Sequence, residues 1–91
     1  MRIAQQTPSF GRAVKKMKAK QKEALWEAVK SIQDDPFVGE EKRGDLKGVW
    51  VHKFKIKTQL FLVAYVFDDS HLTFIYFGTH ENFYRDLKRI H

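Results

Sequence analysis

The stretch Val49-Trp50-Val51-His52-Lys53-Phe54-Lys55-Ile56-Lys57, with the run Leu60 to Phe67 behind it, decides how this chain folds. Trp50, His52, Phe54 and Ile56 alternate with Val51, Lys53, Lys55 and Lys57, a period of two that belongs to a strand with one basic face. A turn is expected at Thr58-Gln59. Leu60 to Phe67 is apolar on both faces, as a central strand is, and Asp68-Asp69-Ser70 has the residues of a second turn. Leu72 to Phe77 then reads as a third long strand.

Upstream the period is that of a helix. Phe10, Ala13, Val14 and Met17 fall at i, i+3, i+4 and i+7, and Leu25, Ala28, Val29 and Ile32 form a second stripe. Thr7-Pro8-Ser9 supplies a hydroxyl cap and an early proline for the first helix, and Asp34-Asp35-Pro36 stops the second. The polar segment Lys18 to Lys22 fits a tight corner between two antiparallel helices, with one long helix as the competing reading. Arg2 to Gln6 suits a short first strand. Residues 37–48 read as a loop, with Gly39, Gly44, Gly48 and the mixed charges Glu40-Glu41-Lys42-Arg43. Gly78-Thr79 leads into a closing helix with Phe83, Leu87 and Ile90 on one face and Thr79 as its expected cap. The expected fold is α+β in the order β-α-α-β-β-β-α. A helical hairpin packs on one face of a small, twisted, mostly antiparallel sheet, followed by a C-terminal helix. The hairpin should cover the Trp50/Phe54 face, leaving the Lys53/Lys55/Lys57 face open with the last helix at its edge or over it.

Ninety-one residues leave room for a single domain, residues 1–91. The chain has no cysteine, which excludes disulfides, a thiolate nucleophile, iron–sulfur clusters and Cys-based zinc sites, and fits a reducing cytosol. The run Leu60 to Phe67 is far below the roughly 20 residues of a bilayer span, and residues 1–20 carry charges without an apolar signal core. A soluble, cytoplasmic protein with no membrane partner is therefore expected. Seventeen Lys and Arg against eleven Asp and Glu leave a net charge of +6, which points to an anionic partner. Most of the excess lies in residues 1–33, at Arg12, Lys15, Lys16, Lys18, Lys20 and Lys22, where a solvated helix face has the same appearance.

Side chains two apart on a strand lie roughly 7 Å apart on one face, so Lys53, Lys55 and Lys57 form a row that can follow a phosphate backbone. The same lysines also suit an edge strand protected from pairing. Arg43, Lys47, Arg85 and Lys88 are candidates to widen the patch for RNA or phosphate. His80 is the candidate for acid–base chemistry, because imidazole titrates near neutral pH and this one stands where a strand passes into a helix. Tyr84, at i+4, shares its helix face. By spacing alone the His-x-x-x-Tyr pair is weak, and a structural role remains open. Ser9, Ser31 and Ser70 lie in no nucleophile elbow. His52, His71, His80 and His91 have no metal-ligand spacing, and Asp68, Asp69 and His71 are explained by turn chemistry. The glycines form neither a phosphate loop nor a dinucleotide fingerprint, so no metal and no cofactor is expected.

Over nearly its whole length the chain resembles the RelE/ParE superfamily, the small basic toxins of bacterial type II toxin–antitoxin systems. The resemblance is carried by the basic hairpin ending in Asp35-Pro36, by Lys42-Arg43-Gly44-Asp45-Leu46-Lys47-Gly48-Val49-Trp50 and by Val51-His52-Lys53-Phe54-Lys55-Ile56. Leu62-Val63-Ala64-Tyr65-Val66 and Gly78-Thr79-His80-Glu81-Asn82-Phe83-Tyr84 complete it. It implies a ribosome-dependent mRNA endonuclease that cleaves without metal, by attack of a 2′-hydroxyl on the adjacent phosphate, and that is neutralised by an antitoxin protein. A Gly-Thr-His sequence before an aromatic is typical of YafQ-type enzymes and implies a catalytic His80. Lys53 and Lys55 match the catalytic and phosphate-binding lysines of RelE, and Tyr84 approximates its C-terminal tyrosine, though two residues nearer the preceding glycine. Two arginines of RelE fall here on Phe61 and His80. ParE members share the fold and poison DNA gyrase, which keeps gyrase inhibition as the alternative, beside an inactive or purely binding member.

Overall fold

In the computed structural model, which describes residues 2–90, the chain runs β1 (Ile3–Gln6), α1 (Pro8–Lys15), α2 (Ala19–Asp34), β2 (Glu40–Glu41), β3 (Trp50–Ile56), β4 (Gln59–Phe67), β5 (His71–Thr79) and α3 (His80–Ile90). The strands form one sheet in the order β1-β5-β4-β3-β2; β1 runs parallel to β5 and the other pairs are antiparallel. This is the expected α+β arrangement. Among the described residues no helix is long and apolar enough to cross a membrane.

Local chemistry sets the helix ends. Thr7 Oγ1 accepts the Phe10 N–H at 3.2 Å and donates to the Ile75 carbonyl at 2.5 Å, while its N–H donates to the Phe74 carbonyl at 3.0 Å. One residue thus caps α1 and fastens it to β5. At the end of α2 the Asp35 carboxylate accepts the Phe37 N–H at 3.1 Å, starting a short 3-10 turn over Pro36–Val38.

The sheet is buried on both faces. Phe10, Leu25 and Ile32 of the hairpin pack on Phe61, Val63, Tyr65, Phe74 and Phe77, with Trp50 and Phe54 at the margin. On the other face Phe83 and Leu87 of α3, with Leu46 and Val49, pack on Val51, Leu62, Ala64 and Ile75. The lysine face is therefore only half open. The sequence reading puts the last helix at the edge of this face or over it; α3 lies over part of it, because β4 is apolar on both sides and its second side needs a cover, which α3 and the Leu46 turn provide.

Four boundaries also differ from the sequence reading. The hairpin corner is shorter, because Gln21 Oε1 accepts the Lys18 N–H at 3.0 Å and starts α2 at Ala19. Residues 37–48 are not all loop, since Glu40 and Glu41 pair with Val51 and Trp50; a strand of two residues shows no period. The turn between β3 and β4 is Lys57-Thr58, closed by the Ile56–Gln59 pair, with Lys57 at φ +57°. Finally, β5 extends through Thr79, which pairs with Phe61, and α3 follows at once.

Candidate active site

The β-sheet register brings the lysines and the β5–α3 junction to one end of one face. Lys53 lies opposite Leu62, which lies opposite Gly78; Lys55 lies opposite Leu60. Paired residues share a face, so Lys53, Lys55, Leu62 and Gly78 all belong to the α3 side of the sheet. Two strand spacings separate Lys53 from Gly78, about 10 Å, and the missing side chain of Gly78 leaves the surface between them low. Lys53 and Lys55 are exposed, as is His80, the first residue of α3. His80 and Tyr84, one turn apart, lie on a common side of α3.

Lys57 does not join the row. It occupies the left-handed region at the turn beyond β3, where the alternation of the strand no longer aims its side chain. Arg85 lies 3.5 Å from Asp86, and Lys88 lies 3.7 Å from Asp45, tying α3 to the 3-10 turn at Gly44–Leu46. Arg43 and Lys47 flank that turn and are exposed. Phe61, aligned with an arginine of RelE, points to the opposite face, where it is buried and stacked on Phe54 with ring centroids 5.6 Å apart.

Two residues not singled out from the sequence complete the group. Lys42, just after β2, lies 2.5 Å from the Glu40 carboxylate and 5.4 Å from the centre of the Tyr84 ring. The Glu40 carboxylate first, then the Tyr84 hydroxyl, as hydrogen-bond partners, hold the Lys42 ammonium above the ordinary lysine range. Lys42 holds Glu40 below its ordinary value, and Lys53 adds to the effect at longer range. Tyr84 also packs edge-on against Phe83, with centroids 5.1 Å apart and planes at 88°. Glu40, Lys42, Tyr84 and Lys53 thus form one linked group. The charge cluster at Glu40–Arg43 was the available signal, and only the pairing of β2 with β3 gives it a place. Among the described residues no three His, Cys, Asp or Glu side chains are grouped as a metal site.

The arrangement offers the exposed lysines Lys53 and Lys55, an exposed imidazole and a phenol at the end of a sheet, which suits an extended anionic substrate. A family described as the ParE-like toxin of type II bacterial toxin–antitoxin systems matches residues 4–88. Among solved structures the chain is similar to YafQ from E. coli, with a TM-score of 0.67 at 17% identity over 92% of this chain and 99% of that one. It is similar to the YoeB/ParE toxin from Agrobacterium tumefaciens, with a TM-score of 0.67 at 20% identity over 88% and 99%. A YafQ variant from E. coli with a histidine replaced by glutamine gives 0.62 at 15% identity over 92% and 99%. At these identities the likeness is one of fold. No curated protein matches the chain.

Proposed function

Because the chain belongs to the ParE-like toxins of type II bacterial toxin–antitoxin systems, whose partner is an antitoxin, we propose that it acts in the cytoplasm as a ribosome-dependent mRNA endonuclease. The observation that carries this reading is the register that sets Lys53 across from Gly78, two residues before His80. In the proposed reaction the 2′-oxygen of one nucleotide bonds to the adjacent phosphorus as the bond to the 5′-oxygen breaks. The 2′-hydroxyl proton passes to a base and the 5′-oxygen takes a proton from an acid, leaving a 2′,3′-cyclic phosphate and a 5′-hydroxyl. His80 serves as one of these two groups. Lys53 and Lys55 hold the non-bridging oxygens, whose charge grows in the transition state, and Tyr84 positions the nucleotide.

Expression without antitoxin, followed by primer extension on a translated message, tests the proposal. New 5′ ends within codons are expected. Growth arrest without new ends would sink the nuclease reading. His80→Ala and Lys53→Ala are each expected to lower cleavage on the order of 10²- to 10⁴-fold; a fully toxic His80→Ala chain would remove His80 from the chemistry. Gyrase poisoning is the second reading, favoured by the ParE-like description of the family, and it predicts gyrase-linked DNA breaks in the same cells.

A further inference from the structure

One cleft of about 680 Å³ opens along the β5 edge at Tyr76 to Thr79, and a second of about 670 Å³ meets it at Thr79 and runs between the start of α2 and the β3–β4 turn. Strand β1 covers that edge only from His71 to Phe74, so the sheet is uncovered there. The clefts share Gln21, Phe61 and Thr79 in their walls and form one groove. Six cations line it. Arg12 comes from α1 and Lys16 from its C-terminal cap, Lys18 caps the start of α2 and Lys20 lies in its first turn, Lys57 comes from the β3–β4 turn and Arg89 from α3. Among the described residues none of the six makes an ion pair. The one carboxylate in the walls, Asp86, accepts from the Tyr76 hydroxyl at 3.0 Å and lies against Arg85.

Folding alone gives no reason to gather six like charges from four elements around one groove, since they repel one another until an anion enters. The walls also favour one kind of anion. A protein partner is held by an exposed aromatic or aliphatic centre. The large exposed apolar side chains Ile3, Trp26, Phe37 and Val38 lie outside the groove and only Ile90 borders it, while the other large apolar residues of its walls, Met17, Ile56, Phe61 and Phe77, are buried or half-buried, so the exposed groups of the groove are mainly its cations. At Thr79 the groove adjoins His80.

We infer that this groove is a track for the sugar–phosphate backbone of one RNA strand, distinct from the Lys53/Lys55 row and carrying the segment that flanks the cleaved linkage. The identity of the strand rests on the nuclease reading; the gathered charge does not. For a single strand, each phosphate neutralised contributes about 0.7 to the slope of log affinity against log salt. Three groove cations should therefore account for a slope of about 2.

The test is the anisotropy of a labelled 12-nucleotide oligouridylate, titrated from 50 to 300 mM KCl on the His80→Ala chain so that the probe survives. Lys16→Gln, Lys20→Gln and Lys57→Asn together are compared with Lys15→Gln, Lys22→Gln and Lys30→Gln, an equal charge change outside the groove. Asparagine at position 57 suits the left-handed backbone. The groove triple should lose about 2 in slope and on the order of 10- to 100-fold in affinity at low salt, and the other triple less than about 0.5 in slope. Equal losses in both triples, or none in the groove triple, overturn the proposal. So does a groove triple that loses only an Asp/Glu-rich peptide while retaining RNA, which would give the groove to a protein partner. Circular dichroism melts confirm that each chain is folded. Binding is read without cleavage, so a wild-type chain that arrests growth but gives no new 5′ ends on a translated message would sink the nuclease reading and leave the groove result standing.

Discussion

At the scale of single residues, Tyr65 holds the segment after α2 to the sheet. Its side chain is fully buried, and its hydroxyl donates to the Pro36 carbonyl at 2.6 Å and accepts the Gly39 N–H at 3.0 Å. Gly39 is glycine for steric reasons, since a Cβ there would lie 2.8 Å from the Val51 carbonyl and closer still to the Tyr65 hydroxyl. Tyr65→Phe leaves a peptide donor and a peptide acceptor without partners and should cost about 1–3 kcal/mol in urea unfolding. Gly39→Ala should cost at least as much and, because Glu40 follows directly, should also loosen Lys42 from Tyr84. Burial pushes the Tyr65 phenol up to about 12 from an ordinary 10.0. The folded chain therefore holds this proton more tightly than the unfolded one. The stability it contributes is full below pH 10 and is lost as pH rises through 12, a fall of about 3 kcal/mol. Unfolding curves between pH 9 and 12 should show this fall, and it should be smaller in Tyr65→Phe; equal falls would remove Tyr65 as the cause. His52 works at the other end of the scale. It sits on the hairpin face opposite Lys53, and burial holds its imidazole below the ordinary 6.5, so its contribution is full above pH 6.5 and fades as pH drops below it.

At the scale of elements, the ends tied by a side chain were easier to read than the ends set by pairing. The Thr7 cap and the Asp35-Pro36 stop of α2 follow from short sequence signals and stand in the structure as expected. Thr7→Ala should cost about 1–2 kcal/mol, because it removes both the cap and the tie to Ile75. Strand β2, the end of β5 and the position of the β3–β4 turn have no such signal, since each is decided by a partner strand rather than by local period. Helix α3 is the element on which the site depends. Phe83 and Leu87 anchor it to the second core, and it carries His80 and Tyr84. Leu87→Ala should destabilise the fold by about 2–5 kcal/mol. Amide exchange should rise first in α3 while the β4 amides stay protected; a uniform rise would show that α3 does not loosen on its own.

At the scale of the whole molecule, the net charge of +6 resolves into separate surfaces. Lys53 and Lys55 stand on the α3 face beside the β5–α3 junction, while cations from the hairpin, the β3–β4 turn and α3 line two clefts that meet at Thr79, where the β5 edge is uncovered. The sequence by itself determined the basic hairpin, the alternating strand, the two-faced apolar strand behind it and the candidate pair His80 and Tyr84. Each of these is a local matter of backbone period, capping or residue chemistry. Only the tertiary structure decided that α3 covers half of the lysine face, that Lys57 leaves the row, that Phe61 turns away from it and that Glu40 and Lys42 join Tyr84. The physical reason is that register and helix placement come from burying both faces of β4 at once. That requirement links residues far apart in the chain and leaves no mark on the period of any one segment.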